Sequence, residues 1–236
     1  MVNGVVNWLD ERIGTNQVWE VLFLRKIPKG VNWWYTLGSA TLFAFILQAV
    51  TGMFLAMYYA PTPDHAYDSI QYIMNEVVFG QVVRGLHHWG ASAMVVLVVL
   101  HMLRIIVMGA YKYPREATWI VGVVLLLLTF GFGFTGYLLP WDEKAYWATT
   151  VGTNMVGTVP FVGGFLLVAA RGGSDLGALT LTRFYAIHML FLPSLTVGFI
   201  ALHLFMVIRQ GISVPPILWE KVGHEVAKTK ELAGRR

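Results

Sequence analysis

Apolar residues along this 236-residue chain gather into long runs, with polar residues confined to their ends and connections. A helix rises about 1.5 Å per residue, so crossing a hydrocarbon core of about 30 Å takes about 20 apolar residues. Four runs reach that length: Asn32 to Tyr59, Gly85 to Tyr111 with Arg104 as its one charge, Ala117 to Trp141, and Phe184 to Ile208. They predict an all-α membrane protein, a bundle of four transmembrane helices. Ala145 to Ala170 is also free of charge, yet it holds Gly152, Gly157, Gly163, Gly164, Pro160, Asn154 and four threonines. Such a stretch spans poorly and is expected to form short helices or turns near the interface, between the third and fourth spans. Asn7 to Leu24 mixes polar residues with Trp8, Trp19 and Phe23, which suits an amphipathic surface helix, expected to be retained, better than a signal peptide. The expected organisation is a surface segment over 1–31, a four-helix unit over 32–209 and a tail over 210–236.

Composition and charge sharpen this picture. With 56% hydrophobic and 13% charged residues, the chain lies well to the apolar side of soluble domains. It has no cysteine, which excludes a disulfide, a thiolate zinc site, a Cys-ligated iron–sulfur cluster and a thioether-attached haem on this polypeptide. The net charge of +4 sits in the connections of a hydrophobic chain, where it sets topology, so nucleic acid is not an expected partner. Of the 17 cations, Arg12, Arg25, Lys26, Lys29, Arg104, Lys112, Arg115, Arg209, Lys221, Lys228, Lys230, Arg235 and Arg236 fall on the side of the two termini, against Arg84, Lys144, Arg171 and Arg183 opposite. By the positive-inside rule the termini are expected on the cytoplasmic, negative side of a multi-pass protein, with a bacterial plasma membrane as its setting.

The histidines carry the candidate chemistry. His87 and His101 stand fourteen residues apart on the second span, four near-complete turns and about 21 Å, so their imidazoles share a face in opposite leaflets. On the fourth span His188 and His203 are fifteen apart, which in an ideal helix turns the second away by about 60°. Pro193 between them frees a backbone carbonyl and offers a local adjustment able to absorb the extra residue. Antiparallel packing then sets His87 level with His188 and His101 level with His203, and each level can clamp one haem iron. Intramembrane histidines are also satisfied by hydrogen bonds between helices; four in two matched layers favour ligation of two stacked haems. Gly38 and Gly52 on the first span and Gly122 and Gly136 on the third are again fourteen apart, and would let a porphyrin approach the backbone at the same two levels. Close helix packing is their other explanation. Arg84 and Arg104 lie one turn toward the nearest surface from His87 and His101, placed to meet haem propionates or to snorkel as topology anchors. His65, His88 and His224 have no such partners in register.

The segments Arg84-x-x-His87 with His101, Gly136-Tyr-Leu-Leu-Pro-Trp141, and Leu181-Thr-Arg-Phe-Tyr185 leading into His188 resemble the cytochrome b family over nearly the whole chain. With four spans and fifteen residues between the fourth-span histidines, the sequence is similar to the short, split b6 type rather than to the longer mitochondrial form, which has fourteen. The resemblance implies a subunit of a quinol:cytochrome c, or plastocyanin, oxidoreductase coupled to proton translocation. In such a complex quinol is oxidised near the positive side, one electron passing to a Rieske protein and the other through two b haems to a quinone site near the negative side. It further implies a low-potential haem on His87 and His188, a high-potential haem on His101 and His203, a c-type cytochrome partner, bound lipid and a homodimer of the whole complex. Tyr137, Trp147, Val151 and Gly152 are expected to form this chain's wall of the quinol pocket. The family's Pro-Glu-Trp-Tyr motif is missing, as expected if a companion chain resembling subunit IV carries it. Where plastid relatives carry the cysteine that tethers an extra haem, this sequence has Thr36, so no covalently attached c-type haem is expected, and the two b haems are expected to be held without a covalent bond. Another reading is a dihaem membrane anchor linking a dehydrogenase or hydrogenase to the quinone pool, which needs the histidine pairs but neither the Gly136 to Trp141 segment nor the Trp147 to Phe165 stretch.

Overall fold

The structure is a computed structural model that describes residues 2–16, 19–20, 24 and 30–213. Arg25, Lys26, Lys29 and every cation beyond Arg209, together with His224 and most of the 210–236 tail, lie outside those residues. Among the described residues all regular structure is helical. Surface helix α1 runs Val2–Ile13, beginning before Asn7 and ending where Gly14 takes φ +63°. Asp10 closes that end by accepting from the Asn16 backbone N–H at 2.7 Å, the Thr15 hydroxyl and the Asn16 amide, and the Asn16 N–H holds its carboxyl below the usual carboxylate range.

The first span is a 3-10 turn, Trp33–Thr36, running into α2, Leu37–Ala56; Asn32 caps it by accepting from the Trp34 N–H at 3.2 Å. It stops short of Tyr59 because Ala60 precedes Pro61 and the residue before proline disfavours helix. A helix not foreseen from sequence, α3 (Ala66–Asn75), leads to the second span, α4 (Gly80–Val107). That span starts five residues before Gly85 because glycine at position 80 admits the carbonyl of Ile73, which would stand 1.9 Å from any Cβ there. At 28 residues it is about 42 Å long, more than the hydrocarbon core requires. The third span, α5 (Glu116–Leu138), ends before Pro140.

The charge-free stretch between the third and fourth spans forms two helices, α6 (Glu143–Gly157) and α7 (Gly163–Arg171), and neither is long enough to cross a bilayer. Asp142 starts α6 by accepting from the Ala145 N–H at 2.8 Å. The fourth span is a composite of α8 (Ala178–Ala186), a π turn over Ile187–Phe191 and α9 (Leu192–Gln210). It reaches six residues further back than Phe184, because Thr180 bonds the Gly177 N–H and donates to the carbonyl of Arg171 at 2.7 Å, anchoring the helix start to α7. The four spans make the chain an integral membrane protein.

Both ends of the bundle are tied by named contacts. At one end Ala66, Leu138, Leu181 and Phe184 form a buried cluster with Tyr59, Leu139, Trp141 and Ala170 against it. The Tyr59 hydroxyl donates to the Leu139 carbonyl at 2.6 Å, and burial pushes that phenol up from its usual range. At the other end Arg115 donates to the carbonyls of Gly211 and Gln210, while Gln210 bonds Thr118 and the Pro114 carbonyl. These contacts lock the start of the third span to the end of the fourth.

Candidate functional site

The four glycines and four histidines meet in pairs. A Cβ on Gly38 would lie 3.1 Å from His101 Cε1, and one on Gly52 would lie 3.2 Å from His87 Cε1. Across the bundle, Gly122 would place a Cβ 3.4 Å from His203 Cε1 and Gly136 one 2.7 Å from His188 Cε1. Rising glycine numbers against falling histidine numbers make the first and second spans antiparallel, and the third and fourth likewise. The two halves join at one level through His87 and His188, whose ring centroids are 6.4 Å apart at an interplanar angle of 73°. Gly122 also faces the sulfur of Met102, the neighbour of His101, which sets His203 level with His101.

The fifteen-residue spacing on the fourth span is reconciled by the π turn. Leu192 N–H bonds the carbonyl of Ile187, five residues back rather than four, so one residue is taken up without rotating the helix beyond it. Pro193 follows directly, and its missing N–H removes a competitor for the carbonyls released there.

Ring nitrogens are held differently at the two levels. Thr51 Oγ1 stands 2.9 Å from His87 Nδ1, and Thr135 Oγ1 stands 3.0 Å from His188 Nδ1. Each hydroxyl gives its own hydrogen to a carbonyl in its helix, Thr51 to Leu47 at 2.6 Å and Thr135 to Gly131 at 2.8 Å. The hydroxyl oxygen is therefore the acceptor, the histidine carries its proton on Nδ1, and the Nε2 lone pair is free to coordinate. His101 Nδ1 and His203 Nδ1 are buried and meet no such hydroxyl; the His203 ring faces the backbone of Thr118.

The arrangement of His87 and His188 fits a flat metal macrocycle between them. An imidazole nitrogen binds a transition metal at about 2 Å, and its ring centroid lies about 1 Å further back, so two rings on opposite sides of one ion have centroids about 6 Å apart. The His87–His188 separation of 6.4 Å matches that requirement. Among the described residues no three His, Cys, Asp or Glu side chains converge, so the imidazoles act in twos.

The guanidinium of Arg104 lies over the Tyr35 ring, 4.7 Å from its centroid, and its buried Nε has no partner. Arg84 reaches the Met74 sulfur at 3.5 Å. His88 is exposed and stacks edge-on with Trp89, and His65 precedes α3 without capping it through its side chain. Tyr137, Trp147 and Val151 are exposed, the last two one turn apart on α6, while Gly152 packs that helix onto Phe134 of the third span.

Three groups escaped the sequence reading. Thr51 and Thr135 each directly precede a glycine of the site, and that repeated Thr-Gly pair was the available signal. The third is Arg171, 6% exposed, which donates to Thr153 Oγ1, Asn154 Oδ1 and the carbonyls of Thr150 and Ser174. Isolated in a polar connection, it gave no pattern.

Residues 23–211 match the family described as cytochrome b/b6/petB. The menaquinol:cytochrome c reductase cytochrome b subunits of Geobacillus thermodenitrificans and Bacillus subtilis (strain 168) are each 45% identical over 223 residues, covering 91% of this chain and all of theirs. Cytochrome b6 of Heliobacterium mobile is 46% identical over 212 residues, 89% of this chain and all of its own. The structure superposes on a chain of a hyperthermophilic respiratory Complex III with a TM-score of 0.82 at 33% identity, covering 88% of this chain and 56% of that one.

Proposed function

The chain belongs to the cytochrome b/b6 family, and from that premise we propose that it is the b6-type dihaem subunit of a quinol:cytochrome c oxidoreductase. Haem binding follows from membership of the family. His87 and His188 hold one b haem and His101 and His203 the other, within the four-span unit over 32–209, with Gly38, Gly52, Gly122 and Gly136 leaving room for the rings. The observation that carries this assignment is the pair of imidazoles with centroids 6.4 Å apart, each bonded through Nδ1 to a threonine hydroxyl so that Nε2 is left free to coordinate.

When bound, each haem supplies a one-electron carrier. The protein's part would be to hold each haem between two neutral imidazoles, which would keep its chemistry to outer-sphere electron transfer. Four spans keep the two levels about 21 Å apart along the axis, a path across most of the hydrocarbon core. Carrying a full charge that way costs about 2.3 kcal/mol per 100 mV of opposing membrane potential, which quinol oxidation must supply. Arg104, with its buried Nε lacking a partner, is placed to bind a propionate of the His101–His203 haem, and Arg84 one of the other haem.

On the positive side Tyr137, Trp147, Val151 and Gly152 form part of the quinol pocket wall. By the family resemblance its proton-accepting carboxylate comes from a companion chain; on this chain Asp142, which caps α6, Glu143 and Asp175 lie only in the connection between the third and fourth spans. A Rieske protein and a c-type cytochrome complete the electron path, and both termini face the cytoplasm of a bacterial cell. Purification in mild detergent tests the assignment. The expected preparation contains a three-span companion, a Rieske protein and two b haems per copy of this chain by pyridine haemochrome, and it reduces cytochrome c with a quinol. A haem-free chain, or one recovered with a dehydrogenase and lacking a Rieske protein, would overturn it.

A further inference from the structure

The two histidine levels share the same glycine cradle but differ in the residue before each glycine. At the His87–His188 level those residues are Thr51 and Thr135; at the other they are Leu37 and Val121. The structure turns this difference in sequence into a difference in bonding. Both Nδ1 atoms of one level stand 2.9 and 3.0 Å from hydroxyl oxygens, whereas the buried Nδ1 atoms of the other meet no hydroxyl, the His203 ring facing the Thr118 backbone instead. Both threonines are themselves buried, 4% and 7% exposed, so these bonds are shielded from water.

We infer that Thr51 and Thr135 are positioning residues that depress the reduction potential of the haem held by His87 and His188 relative to the other haem. An acceptor on Nδ1–H draws that proton away and makes the ring a stronger electron donor through Nε2. A stronger axial donor favours the ferric over the ferrous ion, which lowers the potential. The effect is doubled because both axial ligands of one ion carry a threonine, and it is confined to one level because Leu37 and Val121 have no hydroxyl. The resulting potential gap across the membrane is thus written into two side chains that touch neither electron donor nor acceptor.

This inference rests on the ligand assignment proposed above, and the experiment separates the two. The assembled complex is prepared with Thr51→Val, Thr135→Val, the double variant, and Thr51→Ser and Thr135→Ser, alongside His87→Leu and His101→Leu. Redox titrations follow the α bands of the b haems. Valine matches threonine in shape and lacks the hydroxyl, so each valine variant is expected to raise the potential of the haem that His87→Leu removes. The double variant raises it further, the serine variants restore it, and the haem that His101→Leu removes stays in place throughout. Valine variants with both haems and unchanged potentials would overturn the inference, as would equal shifts at both levels. Should a valine variant lose its haem, serine and alanine at the same position decide, since alanine alone must then raise the potential. If His87→Leu removes no haem, the ligand assignment itself fails, whatever the threonine variants do.

Discussion

Gly136 approaches His188 so closely that a Cβ on it would stand 2.7 Å from Cε1 of the imidazole. No carbon fits at that distance without moving the ring, and the ring is held in place by Thr135 at Nδ1. Overpacking of this kind costs about 1–3 kcal/mol where neighbours cannot yield.

Gly136→Ala is therefore expected to weaken or abolish one of the two haem sites and to leave the other. Gly133→Ala on the same span is the control, because a Cβ there meets nothing within 4 Å. The haem-to-protein ratio by pyridine haemochrome checks both: it should fall toward one for the first variant and remain at two for the second.

The pairing of ligands across the bundle gives a second expectation. His101→Leu and His203→Leu should each remove the same haem, and His188→Leu the other, because Gly122 places His203 beside Met102 while the His188 ring faces His87 at 6.4 Å. Optical redox titration distinguishes the two haems. Loss of one and the same component in His101→Leu and His188→Leu would contradict the geometry.

Arg171 stitches α6, its own helix α7 and the Ser174 turn together with four donated hydrogen bonds, and no carboxylate within the described residues pairs with it. Arg171→Met keeps the volume of the stem and strands two carbonyls, an amide oxygen and a hydroxyl. At about 1 kcal/mol for each lost bond, less the desolvation relieved, the expected destabilisation is about 3 kcal/mol. Thermal unfolding of the detergent-solubilised complex should show it as a drop of several degrees, with Arg171→Lys intermediate because one ammonium cannot reproduce the guanidinium fork.

Covalent attachment offers the fourth. With no cysteine in the chain and Thr36 at the start of the first span, nothing can form a thioether, so coordination and packing hold the haems. Denaturing electrophoresis followed by haem staining should leave this band blank, although the native complex absorbs as a b-type cytochrome. A stained band, with haem mass found on this polypeptide, would contradict that.

What could be read from the sequence was whatever repeats along a helix. The two fourteen-residue intervals, Gly38 to Gly52 and Gly122 to Gly136, mark one face of each span, and the antiparallel partners of those faces follow from a four-span topology. The motif segments were legible as a resemblance but not as a contact: Leu138 from one and Leu181 and Phe184 from the other are buried against each other in the same cluster. Thr51 and Thr135 were invisible because a threonine in a membrane helix ordinarily bonds its own backbone, as both of these do; only coordinates show the second bond. Helix α3 was missed because ten residues with a mixed apolar face give a short pattern between two strong ones. Arg171 needed partners from 17 to 21 residues away, which no local periodicity announces.

The π turn at Ile187–Phe191 makes the fourth span tolerant of a change in chain length at one place and intolerant elsewhere. Deleting a residue within it, Leu190 for instance, would return the ladder to the ordinary four-residue step and leave His188 and His203 fourteen apart, still on one face. The same deletion in α9, beyond Pro193, would carry His203 about 100° around the helix and away from His101. Between His188 and His203, a one-residue deletion is thus tolerated only within that turn. Two chains that differ there by one residue can hold the same pair of metal centres in the same alignment.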